Sequence, residues 1–193
     1  MKSNDVEVVK LMLDHKRDNL NIRSISKLLN KDYKNIHNII KRLEKLSVIS
    51  LEKFGKSYKI ILNKNIHPLI FEAEYLRRKE LLKKKEIKIM IDSFNNLSTK
   101  LYVFLVFGSY ANNTNSKNSD IDLMFILPDA SEKEMEREIY NIVGTLPLKI
   151  HVNIFKESDF TAMKDSKKIT VGSEVIQNNI ILYGVESYYE IIK

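Results

Sequence analysis

The chain has no cysteine among its 193 residues, which excludes a disulfide framework and every thiolate-based metal or redox site. Four histidines and the carboxylates are left as candidate metal ligands, so soft metals are disfavoured. Any run of about 18 uncharged apolar residues is also missing, and charges are scattered through the first thirty residues. Neither a membrane span nor a secretory leader is read, and a cytoplasmic location is expected. Internal repeats and low-complexity tracts are absent as well. An apolar content of 44% is enough for a packed core, and the length suits one ordinary domain or two small ones.

The net charge of +7 hides a split. Residues 1–98 hold 22 Lys/Arg against 12 Asp/Glu, net +10, whereas residues 99–193 hold 10 against 13, net −3. Such asymmetry suggests a nucleic-acid-facing piece joined to one with a different task, although a Lys- and Asn-rich coding bias gives the same composition.

In the basic half, Val6, Val9, Leu11, Met12 and Leu13 recur at helical spacing between Asp5 and Lys16, and a second short helix fits Ile22 to Leu29, with Ile25, Leu28 and Leu29 inward. A third, Asp32 to Leu46, opens on a capping aspartate and lines up Ile36, Ile39, Ile40, Leu43 and Leu46. Its polar face carries Lys34, Asn35, His37, Asn38, Lys41, Arg42 and Lys45, side-chain types that reach phosphates and base edges from the major groove. Two short runs, Val48 to Glu52 and Ser57 to Leu62, flank Phe54-Gly55-Lys56 as a hairpin. By this order and by Ser24 to Leu29 leading into Lys34 to Leu46, residues 5–63 resemble the winged helix-turn-helix transcription regulators. The resemblance implies DNA as partner, with the third helix in the groove and Lys53, Lys56 and Lys59 along the backbone. A protein-interaction module with a merely solvated basic face is the alternative. Residues 66–97 read as one long helix opened by Pro68, its apolar stripe needing the protein body or a second copy of the chain as cover.

In the second half, the apolar run Leu101 to Phe107 suits a buried strand that stops at Gly108-Ser109. A polar stretch from Tyr110 to Ser119 reads as a loop, and Asp120 to Leu127 as a second strand. Side chains two apart on a strand share a face, so Asp120 and Asp122 project together while Ile121 and Leu123 point into the core. Adjacent anions repel by about 1 kcal/mol at ~4 Å even in water, and a divalent cation relieves this; oxygen ligands favour Mg²⁺ or Mn²⁺, which shares carboxylates with substrate phosphates. Gly108 lets a backbone approach closely, and Ser109 adds a hydroxyl and an N–H donor suited to phosphate. A helix from Glu132 to Val143 and a strand from Leu148 to Phe155 follow; the tail reads as a helix over Ile169 to Asn179, a strand over Ile180 to Tyr183 and a last helix from Glu186.

Phe107-Gly108-Ser109, a ten-residue loop, then Ser119-Asp120-Ile121-Asp122-Leu123 resembles the motif of the DNA polymerase beta-like nucleotidyltransferases, in particular the small minimal ones. Over residues 98–193 the resemblance implies an α/β fold, two Mg²⁺ ions, a nucleoside triphosphate (ATP foremost), and attack by an acceptor hydroxyl on the α-phosphate. It assigns Gly108 and Ser109 to the β- and γ-phosphates and Asp120 and Asp122 to metal and catalysis. A toxin partner is also implied; a homodimer is the alternative left open by the uncovered stripe of the 66–97 helix. Two departures stand out. Members usually carry a third carboxylate on the following strand, where this chain offers His151 and Asn153 on the site-facing side. Asn112-Asn113 stands where many small members have Arg-Gly, which removes a phosphate-binding guanidinium. The expected whole is therefore an α+β protein: a winged helix-turn-helix domain over 1–65, a connecting helix over 66–97, and a small α/β nucleotidyltransferase-fold domain with a mixed sheet over 98–193. It either transfers a nucleoside monophosphate, AMP foremost, to a macromolecular hydroxyl, or serves as a non-catalytic regulator or antitoxin with a degraded nucleotide site.

Overall fold

The computed structural model describes residues 3–55, 57–100, 102–130, 132–164 and 170–193, with Glu132 described by its backbone alone. It divides into two compact units, one running to Leu76 and the other from Arg77 to Ile192.

The first unit opens with α1 (Ser3–Asp14), which buries Val6, Val8, Val9, Met12 and Leu13. In α2 (Ile22–Leu28) a capping box closes the N-terminus: the Asn21 side chain accepts from the Ser24 N–H, and the Ser24 hydroxyl accepts from the Asn21 N–H. Helix α3 (Tyr33–Lys45) starts where the Asp32 carboxylate accepts from the Lys34 and Asn35 N–H groups, satisfying two donors with no partner inside the helix. Ile36, Ile39, Ile40 and Leu43 pack inward. Leu28 and Leu46, expected inward with them, are exposed because they stand at the very ends of their helices. Strands β1 (Ile49–Phe54) and β2 (Ser57–Leu62) pair antiparallel around a turn in which Gly55 has φ +60°. The hairpin is pinned by the Ile60 N–H donating to the Leu20 carbonyl at 2.8 Å. Helix, helix, helix, hairpin is the order predicted.

The single helix expected over 66–97 is a correction. Helix α4 (Pro68–Leu81) ends, a turn spans 82–84, and α5 (Lys85–Phe94) begins again. The physical reason lies in phase. Continuing the buried stripe of Leu69, Ile70, Ala73 and Leu81 by three or four residues lands on Lys84 and Lys85, whereas the next buried apolar residues are Ile87, Met90 and Phe94. Breaking the helix lets each segment bury its own stripe and leaves the lysine run at the junction.

The second unit is built on a four-stranded sheet in the order β5-β4-β3-β6, with β3 (Val103–Phe107), β4 (Ile121–Leu127), β5 (Ile150–Lys156) and β6 (Asn179–Tyr183). Strand β3 runs antiparallel to both neighbours and β4 parallel to β5, so the sheet is mixed, as expected. The β4-to-β5 crossover carries α7 (Glu132–Thr145), which buries Met135 and Ile139. Phe94 of α5 lies 5.1 Å from the Phe104 ring and 5.2 Å from Phe125, which themselves stack at 4.3 Å, so this aromatic cluster cements α5 to the central strands. A short α6 (Gly108–Ala111) occupies the start of the stretch expected as loop. Helix α8 (Glu157–Lys164), which no sequence pattern announced, precedes α9 (Val171–Gln177) and α10 (Val185–Ile192). Among the described residues no helix is long and apolar enough to cross a membrane.

Candidate nucleotide site at the start of strand β4

Strand β3 delivers Gly108 and β4 delivers Asp120 and Asp122 to the same end of the sheet, because Phe107 pairs with Asp122 across the antiparallel ladder. Gly108 has φ +66°, a conformation that side chains other than glycine disfavour. Space makes the same demand: a Cβ at this position would lie 3.2 Å from Asp122 Cγ and closer still to its Oδ2. The glycine turn is thus packed directly on the Asp122 carboxylate. Asp120 sits just ahead of β4, two residues from Asp122, and both side chains are partly exposed.

His151 is the residue opposite Asp122 in the parallel β4–β5 register. Its imidazole spans both carboxylates, with Nε2 3.7 Å from Asp120 Oδ2 and Nδ1 3.5 Å from Asp122 Oδ1, and it is 67% exposed. These lengths describe an electrostatic contact rather than tight hydrogen bonds. Asn153 lies further along β5, its amide 3.5 Å from the Leu123 carbonyl. Glu157 and Asp159 open α8 beyond the far end of β5. Since β4 and β5 run parallel, about 20 Å of strand separates that end from His151. These two acids do not fold back toward the site.

Burial pushes the Asp122 carboxyl above its ordinary value; His151 opposes this, and the negative charges of Asp120 and Glu174 add to it. The carboxylate is therefore partly desolvated and only loosely answered by protein cations. Among the described residues no group of three or more His, Asp or Glu side chains is arranged to cage a metal. Two oxygen-bearing side chains beside a glycine turn nevertheless fit a cation that brings other ligands on a polyphosphate, the way Mg²⁺ is commonly held.

Sequence reasoning missed Asn178. It caps the C-terminus of α9, is 7% exposed, and donates from Nδ2 to the Gly108 carbonyl at 3.1 Å, fixing the turn from behind. Nothing local in the sequence announces a contact spanning 70 residues. Ser109 is half-buried at the start of α6, and its carbonyl accepts from the Thr114 N–H at 2.9 Å.

On α3, Lys34, Asn35, Asn38, Lys41 and Lys45 are exposed, as is Lys53 on β1. His37 is half-buried with its ring stacked 6.4 Å from that of Tyr33. Lys56 lies outside the described residues. Arg42, expected among the outward groups, is half-buried and donates from Nε to Asp5 Oδ2 at 2.9 Å and from Nη2 to Asp5 Oδ1. Asp5 is 4% exposed, so this two-pronged pair joins α1 to α3.

A search of the curated proteins returns no match. A solved chain described as "Crystal structure of the toxin-antitoxin with AMP-PNP" is similar at 21% identity and a TM-score of 0.33, over 55% of this chain and 79% of that one. The family model described as HVO_A0114 matches residues 1–65. The model of the family described as "Polymerase beta, Nucleotidyltransferase" matches residues 90–187, just over half of the 193 residues and all of the glycine turn, the aspartate pair and the sheet that carries them; the chain belongs to that nucleotidyltransferase family.

Proposed function

We propose that the second unit binds a nucleoside triphosphate, ATP foremost, with Mg²⁺ or Mn²⁺ and transfers the nucleoside monophosphate to a hydroxyl on a macromolecule, while the basic N-terminal region, read as a winged helix, binds DNA. The observation that carries the transfer reading is the packing of the Gly108 turn directly against the partly buried Asp122 carboxylate, with Asp120 beside it. In this reading Gly108 and Ser109 cradle the outer phosphates, and Asp120 and Asp122 hold the divalent ion. That ion would neutralise charge developing on the phosphates and align the reacting oxygens. The acceptor oxygen forms a bond to the α-phosphorus, the bond to the β-phosphate oxygen breaks, pyrophosphate leaves and the hydroxyl proton passes to solvent. Incubation with α-labelled ATP, Mg²⁺ or Mn²⁺ and candidate protein or RNA acceptors should give label transfer that Asp120→Ala with Asp122→Ala abolishes. Transfer that survives the double change would refute the site.

His151 favours a second reading. An imidazole stands against both carboxylates where the resemblance leads one to expect a third acid, which supports a regulator that senses the triphosphate without turning it over. Tight metal-dependent ATP binding with no transfer to any acceptor, together with DNA binding, would select it. DNA contact in either reading rests on Lys34, Asn35, His37, Asn38, Lys41, Lys45, Lys53 and Lys56, with Arg42 set apart by its pairing with Asp5.

A further inference from the structure

The polar loop that follows α6 is reached by a cation from another element. The α4–α5 break sets Lys84 in an extended conformation (φ −75°, ψ 118°) at the N-cap of α5. Its side chain does not cap the helix. It crosses instead to the loop, donating from Nζ to Asn113 Oδ1 at 3.3 Å and to Asn115 Oδ1, with Nζ 5.0 Å from the centre of the Tyr110 ring. An ammonium has three donors. Two go to the asparagines and the charge also faces an aromatic ring, so Lys84 is engaged within the loop and is placed to act as its clamp.

The two gripped asparagines flank Thr114. The Thr114 N–H donates to the Ser109 carbonyl at 2.9 Å, and Asn113 takes a left-handed conformation at φ +55° to make that return. Lys84 thus holds Asn113 and Asn115, these hold Thr114, and Thr114 closes back on Ser109. Helix α5 is itself anchored in the core by Ile87, Met90 and Phe94, which gives the clamp a fixed base.

We infer that Lys84 is a positioning residue for triphosphate binding: it closes the loop from 112 to 115 onto Ser109 before the nucleotide arrives, so that the ordering cost is not met at binding. This role rests on the nucleotide-binding reading above.

The test uses the full chain and two readouts. Without nucleotide, amide exchange at Thr114 should accelerate about tenfold in Lys84→Ala and in Asn115→Ala, the scale of one lost charge-assisted hydrogen bond. With Mn²⁺, the calorimetric Kd for ATP should rise about tenfold in each single variant, and the double variant should be no weaker than the worse single because both break one clamp. Lys83→Ala, which removes the same charge from the neighbouring exposed position, should change neither readout. Equal loss of ATP affinity in Lys83→Ala and Lys84→Ala would overturn the inference, as a general charge effect; so would faster Thr114 exchange with unchanged ATP affinity, or unchanged exchange in Lys84→Ala. A parent chain that binds no ATP refutes the nucleotide reading and this role with it, and is told apart from failure of the clamp by the Thr114 exchange measured without nucleotide.

Discussion

Two aspartates, one in each unit, have opposite fates. Asp5 is buried almost completely and is met by both prongs of the Arg42 guanidinium, a partnership that raises the arginine's own pKa chiefly through the hydrogen bond. Asp122 is also drawn out of water, but a single exposed imidazole at 3.5 Å answers it, while Asp120 and Glu174 push the other way. A carboxylate that serves the fold is paired where it stands. One left partly buried and loosely paired beside a glycine turn is where the proposed cation, arriving with its ligand, would be held.

Crowding the loosely paired acid should have the largest effect. Gly108→Ala places a methyl group against the Asp122 carboxylate and forces alanine into φ +66°, and we expect ATP binding to be lost together with about 2 kcal/mol of stability, measured by calorimetry and urea unfolding. Gly55→Ala meets the same backbone constraint at φ +60° but no neighbouring atom within 4 Å. It should cost only the conformational share, about 1 kcal/mol, and leave ATP binding intact. Equal effects of the two changes would mean that the contact with Asp122 is irrelevant.

Removing the partner from the well-paired acid comes next. Arg42→Ala strands a buried carboxylate, and a loss of ~2 kcal/mol is expected, below the full value for a broken buried pair because the guanidinium is partly exposed. Its effect on DNA affinity should be small once the folded fraction is allowed for. Lys34→Ala with Lys41→Ala and Lys45→Ala should do the reverse, leaving stability alone and lowering the salt slope of DNA binding by about 3. A gel shift in which Arg42→Ala matters more than the three lysines would return Arg42 to the DNA face.

The smallest effect tests the sign of the Asp122 environment. A carboxyl whose folded pKa is raised contributes stability that is fully present below its ordinary value of 3.8 and is lost as pH rises through the folded value. Without metal, Asp122→Asn should therefore raise the Tm by about 1–2 °C at pH 7, and the gain should vanish on acidification. A lower Tm at pH 7 would mean that attraction to His151 outweighs the cost of burial.

How much of this could be read from residues alone divides along contact range. The strand period put Asp120 and Asp122 on one side, and the Gly108-Ser109 turn was legible from composition, because both are local properties of the chain. The order of the first three helices and the hairpin was equally visible, as was the order of the four sheet strands, whereas α6 and α8 were not. The His151–Asp122 opposition depends on parallel register across a helical crossover, and the Asp5–Arg42 and Asn178–Gly108 contacts span 37 and 70 residues, beyond any periodicity. The α4–α5 break lacks the glycine or proline that marks most interruptions and is visible only as a phase change in the stripe. It also hid Lys84, whose position follows from that break.

The central claim is that Asp120 and Asp122 hold a divalent cation for a triphosphate seated on the Gly108 turn. Calorimetric titration of ATP into the full chain, with Mn²⁺ and again after chelation, in the parent and in Asp120→Asn with Asp122→Asn, tests it most directly. Saturable binding that needs the metal and is abolished in the double variant is the predicted result; binding of equal strength after chelation, or in the variant, would contradict it.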